Sequence, residues 1–268
     1  MNDWRSHFGF HTAPFTRELA VAQRFPLPMF DEVLTALFRA VDQRGSAALI
    51  APAGSGKTAL LRALLDQLPE ARYRVHYVKV TDLSKRDLCR EIAVACGAQP
   101  AGSFPMLVRR LQERFLSTLA DDGVRPVLVL DDSHGLRPEV LGIFQILTNF
   151  EMDSRLVLSV LFVGQPPLRD LLRQPAHEAV TRRLVHLATL RLLSRPESHR
   201  YLAHRCTIAG ATTFPFDSGA QEAVYEIACG NLRATDQLAA KALEVAHDAG
   251  AAIVDSAHLA TARRLVCP

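Results

Sequence analysis

Ala51-Pro52-Ala53-Gly54-Ser55-Gly56-Lys57-Thr58 lies between the apolar run Ala47-Ala48-Leu49-Ile50 and the amphipathic stretch Leu60-Leu61-Arg62-Ala63-Leu64-Leu65. Strand, glycine loop and helix in that order make the setting that a phosphate-binding loop requires. Small residues let successive backbone N–H groups turn inward around an oxyanion, and the new helix aims the positive end of its dipole at the same place. Lys57 is placed to reach β- and γ-phosphates, and the Thr58 hydroxyl to ligate Mg²⁺. Ala51 through Ala59 thus form the expected nucleotide-binding segment. Ala51 stands where this pattern usually has glycine, which alanine can replace if the backbone there avoids positive φ.

The chain has 268 residues, enough for one large domain with a small appendage, and nearly half are hydrophobic. A net charge of +3 permits contact with nucleic acid without arguing for it. Five cysteines (Cys89, Cys96, Cys206, Cys229, Cys267) show no C-x-x-C spacing, so reduced, buried thiols are expected rather than a metal site. The start lacks a signal peptide's apolar core, and no apolar run approaches membrane-spanning length. A cytoplasmic protein without membrane contact is expected.

Apolar periodicity predicts the elements. Helices are expected at 31–44, 58–68, 84–96, 104–119 and 138–150, and strands at 47–50, 75–80, 127–130 and 156–163, with a short strand within 182–192. From Arg195 onward only helices fit: 196–209, 218–228, 233–249 and 256–265. Strands alternating with helices imply an α/β fold, a three-layer sandwich around a parallel sheet. The expected division is an N-terminal arm over 1–30 packed on the core by Phe8, Phe10, Phe15 and Phe25, an α/β nucleotide-binding domain over 31–194, and a small helical lid over 195–268.

Val127-Leu128-Val129-Leu130-Asp131-Asp132 supplies the second half of a nucleotide site. A buried strand that ends in carboxylates presents them at the edge where parallel sheets bind ligands. Asp131 is expected to hold magnesium and Asp132 to orient the attacking water. Glutamate is commoner at the second position and aspartate is one methylene shorter, so either slow hydrolysis or a water that sits closer is expected. Gln165, at the end of the next strand, is a candidate for touching the γ-phosphate and the lytic water. Arg182 and Arg183 are candidates for an arginine presented to a neighbouring subunit's γ-phosphate. Arg233, at a helix start after Gly230-Asn231-Leu232, is a candidate for reaching back to the phosphates.

Together these pieces resemble the AAA+ ATPases, in particular the ExeA-like group that includes transposition regulators of the TnsC, TniB and IstB type. The resemblance runs over almost the whole chain. It includes His7-Phe8-Gly9-Phe10 with Pro14-Phe15, Gly164-Gln165-Pro166 with Leu168-Arg169, and Arg183-Leu184. It continues through Tyr201, His204-Arg205 and Gly210 to Gly230-Asn231-Leu232-Arg233. Departures are Ala51 for glycine, Asp132 for glutamate, Pro167 for glutamate and Arg182 for glutamine. Secretion-type members carry a membrane-spanning segment and a wall-binding domain after the ATPase, and the sequence shows neither. The resemblance therefore implies an ATP- and Mg²⁺-dependent transposition helper. Such a helper forms a homo-oligomer, ring or helical filament, on duplex DNA and delivers target DNA to a transposase. Alternatives are a secretion-pathway ExeA-like ATPase and a nucleotide-gated signalling or scaffold NTPase that ignores DNA. No N-K-x-D pattern for reading guanine is present, which favours ATP.

For DNA, Lys79, Thr81, Ser84, Lys85 and Arg86 combine cations, hydroxyls and a helix N-terminus, a set suited to phosphate contacts without base readout. Arg109 and Arg110 could extend that patch. Binding is expected to be sequence-nonspecific and salt-sensitive.

Overall fold

The computed structural model describes residues 3–121 and 123–266; Cys267 lies outside them. In chain order the elements are α1 (Trp4–His7), α2 (Pro28–Asp42), β1 (Ser46–Ile50), α3 (Lys57–Asp66), β2 (Tyr73–Lys79), α4 (Lys85–Ala95), α5 (Phe104–Ala120), β3 (Arg125–Asp131), α6 (Pro138–Leu141) and α7 (Ile143–Leu147). There follow β4 (Ser159–Gly164), α8 (Pro167–Arg173), α9 (Glu178–Thr181), β5 (Leu184–Thr189), α10 (Arg195–Ile208), α11 (Ser218–Ala228), α12 (Leu232–Asp248) and α13 (Ser256–Val266).

The chain divides into two compact units. One holds residues 28–52 and 60–190, where the five strands among the described residues form one parallel sheet of order β2-β3-β4-β1-β5. This is the α/β P-loop fold that the alternation predicts. Strands β1 and β4 lie inside the sheet and are buried along their whole length, whereas the edge strands β2 and β5 alternate. That contrast is why the inner strands read as unbroken apolar runs in the sequence. The core places Phe144, Phe162 and Leu128 with Leu88, Ile92, Leu107 and Phe115 from α4 and α5.

The helix expected over 138–150 is instead α6 and α7, parted at Gly142, where a residue with poor helix propensity meets a tight turn. Ser84 caps α4 as expected, its Oγ accepting the Asp87 N–H at 3.2 Å. Strand β4 begins at Ser159, opposite Val127, three residues later than the apolar run suggests. Val157 and Leu158 are buried before any ladder forms. The short helices α1, α8 and α9 carry too few turns to leave a periodic signal.

The other unit holds residues 1–27, 53–59 and 191–268. Phe8, Phe10 and Phe15 are buried with Leu202, Cys206, Val224, Leu238, Leu243 and Leu259 of α10–α13. The arm expected to pack on the core thus sets its phenylalanines among these helices. A buried guanidinium fastens it: Arg205 donates from Nε to Pro14 O at 2.8 Å and from a terminal nitrogen to Thr16 O at 2.6 Å. Arg205 also donates to Tyr201 Oη at 2.8 Å and faces Asp236 at 3.2 Å. Tyr201 donates to Asp236 at 2.8 Å, and burial, outweighing the guanidinium, pushes that carboxyl up to about 6. His204 Nε2 donates to Gln23 O at 3.0 Å, and the backbone of His11 donates to Ala209 O at 2.8 Å. Cys89, Cys96 and Cys206 are buried, and burial pushes the Cys89 and Cys206 thiols up to about 12. Cys229 departs from the expectation of buried thiols: it is exposed, in the left-handed conformation that ends α11.

Candidate nucleotide site

The loop leaves β1 at the carboxyl edge of the sheet. Ala51 is fully buried and its N–H donates to Gly164 O at the end of β4, 3.0 Å away. It is absent from the positive-φ residues, so alanine costs nothing at this position. The left-handed conformations fall on Gly54 (φ +72°) and Gly56 (φ +93°), where a Cβ would be strained. Helix α3 then starts at Lys57, with Thr58 in its first turn. Ser55 is buried within the loop. Around residues 53–54 the loop meets the start of α12: Leu232 N–H donates to Gly54 O at 2.9 Å, with Arg233 N–H at 3.4 Å from the same oxygen. Asn231 Nδ2 donates to Ala53 O at 2.8 Å. The Arg233 side chain is exposed.

At the same sheet edge, one strand removed from β1, β3 ends in Asp131. Both carboxylate oxygens of Asp131 are engaged: Oδ1 accepts the Asp132 N–H at 2.9 Å, and Oδ2 accepts the Tyr77 hydroxyl at 2.8 Å. Burial, and then the negative charge it faces, pushes the Tyr77 hydroxyl pKa upward, so it stays a donor. Asp132 is left-handed at φ +55°, a region that aspartate enters more readily than most residues. That conformation is a physical reason for a short acid here in place of glutamate. Lys79 at the end of β2 stands 3.6 Å from its carboxylate.

Gln165 follows β4, and its amide nitrogen lies 3.0 Å from His134 Nε2, on the turn that follows Asp132. His134 joins the ends of β3 and β4. Sequence reasoning passed over both it and Tyr77, whose signals were only their positions, three residues after Asp131 and two before Lys79.

The remaining candidates are scattered. Arg182 is exposed and pairs with Glu178 on its own helix at 2.6 Å. Arg183 is held by Ala179 O at 2.9 Å and by the Asp153 carboxylate at 2.6 Å. Of the DNA candidates, Thr81 and Lys85 are exposed, and Ser84 spends its hydroxyl on the α4 cap. Arg86 donates to Gly102 O at 3.1 Å, Arg110 to Ala101 O, and Arg109 pairs with Glu113 at 2.8 Å. Asp82, bound to Arg137 at 2.7 Å, adds negative charge amid this patch.

Among the described residues no helix is long and apolar enough to cross a membrane. A family model described as an AAA domain matches residues 39–172. General secretion pathway protein A of Aeromonas hydrophila is 30% identical over 213 residues, which is 78% of this chain; the chain spans 38% of that protein's length. Among the solved structures that resemble the chain are the following three. Cdc6p from Pyrobaculum aerophilum has a TM-score of 0.74 at 18% identity, covering 94% of this chain and 70% of that one. ORC1 of Aeropyrum pernix in complex with DNA has a TM-score of 0.69 at 20% identity, covering 96% and 70%. The Thermotoga maritima RuvB Holliday junction branch migration motor has a TM-score of 0.63 at 15% identity, covering 94% and 73%. At these identities the structural likeness carries the fold alone.

Proposed function

This chain belongs to the AAA-domain family, and from that premise we propose that it binds ATP with Mg²⁺ through residues 51–59 and hydrolyses it to ADP and phosphate. One observation carries the reading: a loop with left-handed glycines and a helix starting at Lys57 leaves the same sheet edge that bears Asp131. Backbone N–H groups along that loop suit oxyanions, as does the N-terminus of α3. Lys57 neutralises phosphate charge. Thr58 and Asp131 are the residues that would hold the metal, which supplies charge neutralisation on the transferring phosphoryl group. Asp132 and Gln165 orient water, Arg233 contacts the phosphates, and Arg182 or Arg183 acts on a neighbouring copy. The contribution of the chain is positioning and electrostatics, with no covalent intermediate. The pairing of Asp132 with Lys79 fits an enzyme that is slow alone and stimulated by DNA or assembly. Calorimetry of wild type and Lys57→Ala with ATP tests this reading: binding by wild type, clearly weakened in the variant, is expected, and equal affinity in both overturns it.

In its finer form the proposal is a regulator of DNA transposition. It assembles with ATP as a ring or filament on duplex DNA and engages a transposase. Support comes from the Gly164-Gln165-Pro166 and Tyr201-to-Gly210 signatures, and from a fold shared with proteins whose structures were solved on DNA. A secretion-pathway role is the second reading, favoured by the Aeromonas hydrophila relative. Electron microscopy with duplex DNA and a non-hydrolysable ATP analogue separates them: DNA-threaded assemblies support the first reading, and particles indifferent to DNA the second.

A further inference from the structure

The nucleotide reading leaves Asn231 without a role, although its side chain reaches the phosphate loop itself. In a trans peptide the carbonyl of one residue and the N–H of the next point in opposite directions. Asn231 Nδ2 donates to Ala53 O at 2.8 Å, and Leu232 N–H donates to Gly54 O at 2.9 Å. Two successive loop carbonyls are therefore turned toward the start of α12, and the Gly54 and Ser55 amide hydrogens, on the far sides of those planes, are turned away from it. Those are amides of the expected cradle. The other end of the Asn231 amide is fixed as well: Oδ1 accepts the Ala234 N–H at 3.1 Å as the cap of α12. A Cβ on Gly54 would run into the Asn231 amide, so the glycine serves this approach as well as its positive φ.

We infer that Asn231 is a positioning residue for the phosphate cradle, one that presets the 53–54 peptide plane, beside the 54–55 plane that the Leu232 N–H holds, so that the Gly54 N–H faces the anion before it arrives. The inference rests on the nucleotide reading above and assigns regulation to the same loop. A loop held in its binding conformation loses less freedom when the ligand enters. By linkage, an anion that fixes the same planes tightens the hold of the loop on the start of α12. The cradle contacts phosphates common to ADP and ATP, whereas a residue that reads the γ-phosphate affects ATP alone.

Asn231→Ser provides the test, because serine still caps a helix yet is too short to reach Ala53 O. Calorimetry without turnover is expected to show both ADP and ATP bound more weakly, by the same roughly two- to tenfold factor that one hydrogen bond is worth. Amide exchange in the nucleotide-free protein is expected to speed up at Leu232, whose N–H rests on Gly54 O, and to stay unchanged in the interior of α12. Unaltered affinity for both nucleotides, or a loss confined to ATP, overturns the role of Asn231. So does faster exchange spread along α12, the mark of a simple cap defect. Should Asn231→Ser not fold, Asn231→Asp, which keeps a strong cap and loses the donor, must show the same local exchange. A wild type that binds neither nucleotide overturns the nucleotide reading itself, a result distinct from a binding wild type with an indifferent variant.

Discussion

The proposed phosphate loop and the clamp around Arg205 are built by opposite means. In the loop, apart from the hold that Asn231 and Leu232 have on residues 53 and 54, the conformation is set within a few positions: Gly54 and Gly56 supply left-handed φ, and Lys57 opens a helix. In the clamp, Arg205 works through carbonyls of Pro14 and Thr16, about 190 positions away in sequence. A buried arginine with Asp236 and Tyr201 around it stabilises only as a complete set, since each group left behind is a desolvated polar atom. The loop therefore holds chemistry on a few local choices, while the clamp holds shape on a network. Damage to the first should cost binding and spare the fold, and damage to the second should do the reverse.

The largest expected effect breaks the clamp. Arg205→Ala strands the Asp236 carboxylate and should cost about 3–5 kcal/mol of stability in urea unfolding. A loss below about 1 kcal/mol would show that the arm is held by its phenylalanines alone. Next, Lys57→Ala should weaken ATP roughly 10- to 150-fold, the worth of a charge-assisted hydrogen bond, with an unchanged unfolding midpoint. If the midpoint fell as far as in Arg205→Ala, the two regions would not differ in kind. Tyr77→Phe frees one oxygen of Asp131 and should weaken the metal affinity of the nucleotide-loaded protein roughly tenfold. A Mn²⁺ titration that matches wild type would remove Tyr77 from the site.

The smallest effect is one of pH. Glu197 accepts from Arg191 at 2.6 and 2.8 Å and from Ser194 N–H at 2.7 Å. The guanidinium, and then the backbone N–H, hold its carboxyl down at about 2, against an ordinary value near 4.5. A folded value below the unfolded one means stability that is complete above about pH 4.5 and lost as pH falls toward 2. Because Arg191 is half exposed, the pair is worth about 1 kcal/mol. Wild type should exceed Glu197→Gln by that amount at pH 7 and match it near pH 2; a gap that persists in acid would exclude the ion pair as its source.

The same contrast explains what could be read in advance. Strands β1, β3 and β4 were legible because burial on both faces leaves their interiors apolar, with polar residues only at the ends, and α4 because Ser84 and a periodic face announce it. The single helix expected over 138–150 failed at Gly142, where the choice between one helix and two lies in a turn of packing that periodicity does not record. Tyr77 and His134 were missed because neither bears a spacing signal: one lies on an edge strand, the other in a turn, and each matters through the neighbour that it faces.

From residue order alone came the parallel α/β scheme, the loop at 51–59 and the acids at the end of β3, since backbone propensity, burial and glycine conformation act over short stretches. Folding in three dimensions decided the rest: that Asp131 has a hydroxyl on one oxygen, that Asp132 faces a lysine, that Arg205 grips the arm, and that Asn231 and Leu232 turn two carbonyls of the loop. Hydrogen bonds across strands or between distant segments depend on where the chain returns, and a linear pattern holds no coordinate for that return.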